Sequence, residues 1–141
     1  MKRSLVATLL ALILLVSSTA AFAQTDVSIW TWTPIPRTIE KMITAVEAEN
    51  PDIKISYTNY NYNPEYLAAL AAGAGANNMG DVLGLQPGSL TQQYRDYLID
   101  LAPYAKATWG DNWEEKFYGI DAAQMRLGNP AGDEGVYIIP V

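Results

Sequence analysis

The stretch VSIWTWTPIPRTIEKMITAVEAENPDIKISYT, residues 27–58, decides the fold. Val27 to Thr33 is β-branched or aromatic apart from Ser28, and Pro34 and Pro36 end the run, which reads as a buried strand. Ile39, Met42, Ile43 and Val46 then recur at the helical spacing i, i+3, i+4, i+7 and form one apolar stripe. Asn50-Pro51 stops that helix, because proline disfavours helical geometry at the residue before it. Ile53, Ile55 and Tyr57 alternate with Lys54, Ser56 and Thr58, the period of two that marks a second strand. Strand, helix and strand in succession make a β-α-β unit, whose strands run parallel because the helix serves as the crossover.

The same alternation continues toward the carboxyl end. Asn63-Pro64 pairs an N-cap residue with a proline at the first helical position, Leu67, Leu70, Ala71 and Ala74 carry on an apolar face, and the helix is expected to fray at Gly73 and Gly75. Asp81 introduces the apolar run Val82-Leu83-Gly84-Leu85, a third strand. Pro87-Gly88-Ser89 opens a helix with Leu90, Tyr94, Tyr97, Leu98 and Leu101 on one side. Asp111-Asn112-Trp113-Glu114 fits a capping box for a weaker fourth helix. Val136 to Val141 reads as a last strand after the turn-rich Gly128 to Gly135. Repeated units of this kind specify the α/β class, a mainly parallel sheet with helices on both faces.

Toward the amino end, Lys2 and Arg3 precede an apolar core from Leu5 to Val16, and Ala21-Phe22-Ala23 supplies small residues three and one before a cut. Residues 1–23 therefore read as a cleavable secretory signal peptide with the cut after Ala23, and residues 24–141 as the mature chain. The apolar core is too short to span a bilayer, which takes about 20 residues. A periplasmic or secreted product is expected, with no membrane insertion after cleavage. Lys and Arg number 9 against 15 Asp and Glu; without Lys2 and Arg3 the balance is 7 to 15, or −8, which argues against nucleic acid as a partner. With no Cys and no His, disulfide scaffolds, thiol nucleophiles and histidine chemistry are excluded, and no metal or cofactor is expected.

Ligands of open parallel sheets sit beyond the carboxyl ends of the strands, which directs attention to Trp32-Thr33, Asn59-Tyr60-Asn61 and Gln86-Pro87-Gly88. Tyr57, Tyr60, Tyr62 and Tyr66 interleave with Asn59, Asn61 and Asn63. Aromatic faces suit the apolar C–H face of a pyranose and carboxamides suit its hydroxyls, so a sugar is the expected ligand. Tyr57 and Tyr66 read more readily as core residues, and of the two tryptophans on one face of the first strand, Trp30 is expected in the core and Trp32 nearer the crevice. Asp81, Glu114 and Glu115 could serve as a glycosidase acid pair, yet Asp81 precedes a strand, away from the crevice, and the two glutamates suit a first helical turn. Gly73 to Gly80 lacks the lysine of a phosphate loop and precedes a strand, the wrong order. No catalytic residue is assigned.

In order along the chain, IWTWTP, ENPDIKISY, GDVLGLQPGSLTQQY and GVYIIPV resemble the first strand, the helix end with second strand, the third strand with its site loop and helix, and a late strand of one family. That family is the sugar-binding, maltose-binding-protein-like branch of the solute-binding proteins of ABC importers, extracellular solute-binding protein family 1. The resemblance implies a type II periplasmic-binding-protein lobe, a receptor rather than an enzyme, and delivery of a mono- or oligosaccharide to membrane permease subunits. Carried over, it points to Trp32, Thr33, Asn59, Tyr60, Gln86, Pro87 and Gly88 as ligand-binding residues. Gly80 stands where the family commonly has proline. Members are several times longer, which implies that residues 24–141 are the amino-terminal part of lobe 1 and that the lobe is incomplete. The competing readings are a short secreted glycan-binding protein, a nonfunctional remnant, or a small secreted glycosidase.

Overall fold

The computed structural model describes residues 23–32, 35–117 and 119–140. Among the described residues three strands form one sheet, β1 (Thr25–Thr31), β2 (Ile53–Asn59) and β3 (Val82–Leu83), in the order β2-β1-β3. Both pairings are parallel, with Thr25 opposite Ile53 through to Thr31 opposite Asn59, and Ile29 and Trp30 opposite Val82 and Leu83. The first crossover runs through α1 (Pro36–Glu49) and the second through α2 (Leu67–Ala76). Because the chain steps one way from β1 to β2 and back across β1 to β3, right-handed crossovers put α1 and α2 on opposite faces of the sheet. The side chains agree. Trp30 meets α2 at Gly73, while Tyr57, beside Ile29 of the other face, feels the Glu40 carboxylate of α1.

The α1 segment ends as the sequence indicates, with the Asn50 N–H and side-chain amide both donating to Val46 O. Its apolar stripe is less covered than expected: Ile39 and Ile43 are half-buried, but Met42 is 51% and Val46 41% exposed. A polar clasp supplements the contact. Glu47 accepts the Ile55 N–H at 2.8 Å and pairs with Lys54 at 3.1 Å, which satisfies a backbone donor on the free side of the edge strand. These bonds, the one from Ile55 first, hold the Glu47 carboxyl below its usual range.

Between β2 and α2 the chain makes a π-type turn, Tyr62–Tyr66. Asn63 has the extended backbone usual for a residue that enters a helix, and Glu65 accepts from the Asn61 N–H and side-chain amide at 3.2 and 2.9 Å. Contrary to expectation, α2 does not fray at Gly73. It continues to Ala76 and closes at Asn77, which takes the left-handed conformation. Gly73 is there for packing: a Cβ would lie 3.2 Å from the Trp30 ring, and one on Gly80 would lie 2.7 Å from Trp30 Cγ. The indole is bedded between two glycines that in sequence look only like loop residues.

Tyr66, Leu70, Leu90 and Tyr94 form the buried centre of the first core, with Trp30, Trp32, Tyr60, Tyr62, Met79 and Leu83 around it. The helix that opens at Ser89 is shorter than its apolar spacing indicates: α3 (Ser89–Tyr94) passes into a 3₁₀ turn, Arg95–Tyr97, and Leu98 is extended. Tyr97 is consequently exposed. Asp100 then accepts the Ala102 N–H at 3.0 Å and starts α4 (Ala102–Trp109), a helix the apolar pattern does not reveal.

Two further expectations are corrected. Residues 111–114 do not form a capping box, because Asp111 pairs with Lys106 and Glu114 with Arg126, leaving a 3₁₀ turn at Trp113–Lys116 before α5 (Gly119–Gln124). Val136 to Pro140 does not join the sheet. Val136 gives its N–H to Asp100 and its carbonyl to the Leu101 N–H, and it is buried in a second core with Ala105, Trp113 and Met125.

Candidate functional site

The carboxyl ends of the strands converge by backbone bonds that run past the ladder itself. Tyr60 N–H donates to Thr31 O and Gly84 N–H to Trp30 O, each at 2.8 Å. Gly84 is required by this closeness, since a Cβ there would lie 2.5 Å from Thr31 Oγ1. The three segments that follow β1, β2 and β3 are thereby brought side by side.

Trp32, Tyr62 and Gln86 form the group at this end. The Trp32 indole N–H donates to Gly84 O at 3.0 Å, which uses the ring's one polar atom and leaves an apolar surface. Tyr62 packs against that ring with centroids 4.4 Å apart and planes tilted by 48°. The Tyr62 hydroxyl donates to Gln86 Oε1 at 2.8 Å. Trp32 and Tyr62 are half-buried and Gln86 is exposed. The loop that carries Gln86 is braced from behind: buried Thr91 donates to Gln86 O at 2.9 Å, and Gly88, at φ +93°, donates its N–H to Leu127 O.

Of the residues singled out in the sequence, Trp32 and Gln86 meet through Tyr62. Thr33 lies outside the described residues. Asn59 is exposed at the end of β2, opposite Thr31. Tyr60 turns inward, with its ring 5.8 Å from Trp30 and 5.6 Å from Tyr66, so it packs with the first core. Pro87 and Gly88 are half-buried in the turn before α3. Tyr62 is the residue that sequence reasoning left out. Its place in the Tyr-Asn alternation is visible, but its direction depends on the π-type turn, which has no sequence signal of its own.

Two of the acids singled out in the sequence, Asp81 and Glu114, are held in structural bonds. Asp81 Oδ2 accepts from Ser28 N–H and Oγ–H at 2.8 and 2.6 Å, and its own N–H donates to Ser28 Oγ at 3.0 Å. The Ser28 hydroxyl first, and then its N–H, keep the Asp81 carboxyl below the usual range, so it stitches β3 to β1. Glu114 grips Arg126 through both oxygens, at 2.6 and 3.2 Å, and that pairing lowers its pKa. Burial pushes the Tyr66 phenol upward, and its hydroxyl donates to Trp30 O. Among the described residues no cluster of acids suits a metal ion, and no helix is long and apolar enough to cross a membrane.

At the carboxyl ends of the parallel strands an aromatic surface thus stands beside a carboxamide. Several solved structures share the fold. The ABC substrate-binding protein Lmo0181 from Listeria monocytogenes, in complex with cycloalternan, superposes with a TM-score of 0.63 at 19% identity over 74% of this chain and 27% of its own. The fold is that of a solute-binding protein lobe. A protein called CpMnBP1, solved with mannotriose bound, gives 0.59 at 16% identity over 81% of this chain and 27% of its own. A probable secreted solute-binding lipoprotein from Streptomyces coelicolor gives 0.57 at 18% over 79% and 27%. The chain thus spans about a quarter of the length of these three proteins. No protein-family description and no curated protein matches the sequence.

Proposed function

We propose that this chain is the amino-terminal part of lobe 1 of an exported receptor that binds a carbohydrate and delivers it to the permease of an ABC importer. The observation that carries the reading is the Trp32, Tyr62 and Gln86 group, an apolar ring surface beside a hydrogen-bonding carboxamide, at the carboxyl ends of β1 and β3. Two of the solved structures with this fold hold an oligosaccharide, cycloalternan in one and mannotriose in the other. Residues 1–23 are proposed as the export signal and the periplasm or medium as the destination. Trp32, Thr33, Asn59, Gln86, Pro87 and Gly88 are proposed as this lobe's share of the ligand site, with Tyr60 supporting them from the core. The receptor works by holding and releasing its ligand, without catalysis or cofactor.

The test is the melting temperature of the full secreted protein across a panel of gluco-, manno- and xylo-oligosaccharides. A ligand at 100 times its Kd stabilises the folded state by about 2.7 kcal/mol, a shift of several degrees. A panel that leaves the melting temperature unchanged throughout refutes the carbohydrate reading.

A further inference from the structure

Gln86 is exposed at the tip of its loop, and an exposed glutamine with three free torsions loses rotamer entropy on binding, which weakens any hydrogen bond it makes to a ligand. Here its carboxamide oxygen is already engaged by the Tyr62 hydroxyl at 2.8 Å. Tyr62 in turn is fixed on both sides. Its ring packs on Trp32, whose indole is pinned to Gly84 O. Its backbone belongs to the π-type turn that is anchored at one end by the Asn61 to Glu65 bonds and at the other by the fully buried Tyr66. The main chain of Gln86 is held as well, by Thr91. One tyrosine therefore ties together the segments that follow all three strands.

We infer that Tyr62 is a positioning residue for the site: it holds the Gln86 carboxamide by its oxygen, so that the NH₂ group is presented as a preorganised donor to an acceptor oxygen of the ligand. A phenol hydroxyl that donates to the amide oxygen leaves both amide protons free. The arrangement offers those protons to ligand atoms that accept, the hydroxyl or ring oxygens of a saccharide. This rests on the carbohydrate reading for the nature of the ligand, but the orientation of Gln86 is a property of the free protein and is measurable without one.

The experiment has two arms on the full secreted protein. In the first, side-chain amide ¹⁵N relaxation of Gln86 is compared in the unliganded wild type and in Tyr62→Phe, which keeps the ring on Trp32 and removes the hydroxyl. The amide is ordered in the wild type and becomes mobile in the variant. Equal mobility in both overturns the inference, whatever the protein binds. In the second, maltotriose, mannotriose and xylotriose are titrated into wild type, Tyr62→Phe, Gln86→Ala, the double variant and Gln86→Glu. Each single removal weakens binding of the best of these ligands about tenfold, and the double variant is no weaker than Gln86→Ala, because Tyr62 acts through Gln86. Gln86→Glu still accepts the Tyr62 hydroxyl but offers the ligand an acceptor, and it loses as much as Gln86→Ala. Additive losses, or full binding by Gln86→Glu, overturn the inference. An ordered Gln86 amide in a protein that binds none of the three sugars would refute the saccharide ligand and with it the donor role, while the bond to Tyr62 would stand as structure alone.

Discussion

Replacing Gly128 by alanine deletes no contact and adds a single methyl group, yet the structure makes it one of the costlier changes near the site. Gly128 has φ +92°, a conformation that for an L-residue costs about 1–2 kcal/mol. Its Cβ would stand 2.5 Å from Gly88 O and 3.0 Å from Gly88 C. Carbon and oxygen need about 3.3 Å or more, so the Gly88 carbonyl must retreat by roughly 0.8 Å. That carbonyl accepts the Gln92 N–H in the first turn of α3, and the Gly88 N–H is tied back to Leu127, so the displacement loads both ends of the loop behind Gln86. Overpacking of this sort adds about 1–3 kcal/mol, for a total of about 2–5 kcal/mol. Gly132 supplies the control. Its φ is +87°, but a Cβ there meets nothing within 4 Å, so Gly132→Ala carries only the backbone cost of about 1–2 kcal/mol. Urea unfolding followed by tryptophan fluorescence measures both, and the midpoint of Gly128→Ala is expected to fall about twice as far as that of Gly132→Ala. Equal midpoints for the two variants would refute the close approach of Gly128 to Gly88 and with it the bracing of the site loop.

Three other expectations concern the core, α2 and the β1–β3 seam. Leu70→Ala opens a cavity in the first core, where Leu70 is fully buried, and lowers the unfolding free energy by about 2–5 kcal/mol in denaturant; a loss under about 1 kcal/mol would contradict its place there. Gly75→Ala goes the other way, since Gly75 lies in α2 with open space around it: a stabilisation of about 0.5–1 kcal/mol, seen as a raised melting temperature. Asp81 is held below its unfolded pKa by Ser28, so its contribution is fully present above about pH 4 and is lost as the pH falls through its folded value. Asp81→Asn should therefore destabilise at neutral pH and flatten the fall in unfolding midpoint between pH 5 and pH 2; parallel curves for the two proteins would contradict the Asp81 to Ser28 stitch.

The sheet was legible because its signals are periodic and local. The alternation at Ile53, Ile55 and Tyr57, the stripe from Ile39 to Val46 and the proline stops give β1, α1, β2 and their parallel order directly. What escaped reading depends on contacts between distant residues. Gly73 looks like a helix breaker until Trp30 is seen to fill the space it leaves. Val136 to Pro140 has strand composition, but Asp100 and Leu101 take the Val136 backbone groups that a ladder would use. Asp111 and Glu114 have capping-box spacing, but Lys106 and Arg126 claim their carboxylates. In the site, Trp32 and Gln86 were visible as residues that follow strands. Tyr62 was not, because only the turn at Tyr62–Tyr66 aims its ring at one and its hydroxyl at the other.

The central claim is that the Trp32 end of the sheet receives a carbohydrate. Calorimetric titration of the full secreted protein with oligosaccharides, wild type beside Trp32→Phe, tests it most directly. The account predicts saturable binding of at least one oligosaccharide by the wild type and about tenfold weaker binding by Trp32→Phe, which loses ring surface and the anchor to Gly84. Absence of binding by the wild type, or equal binding by the two proteins, would contradict it.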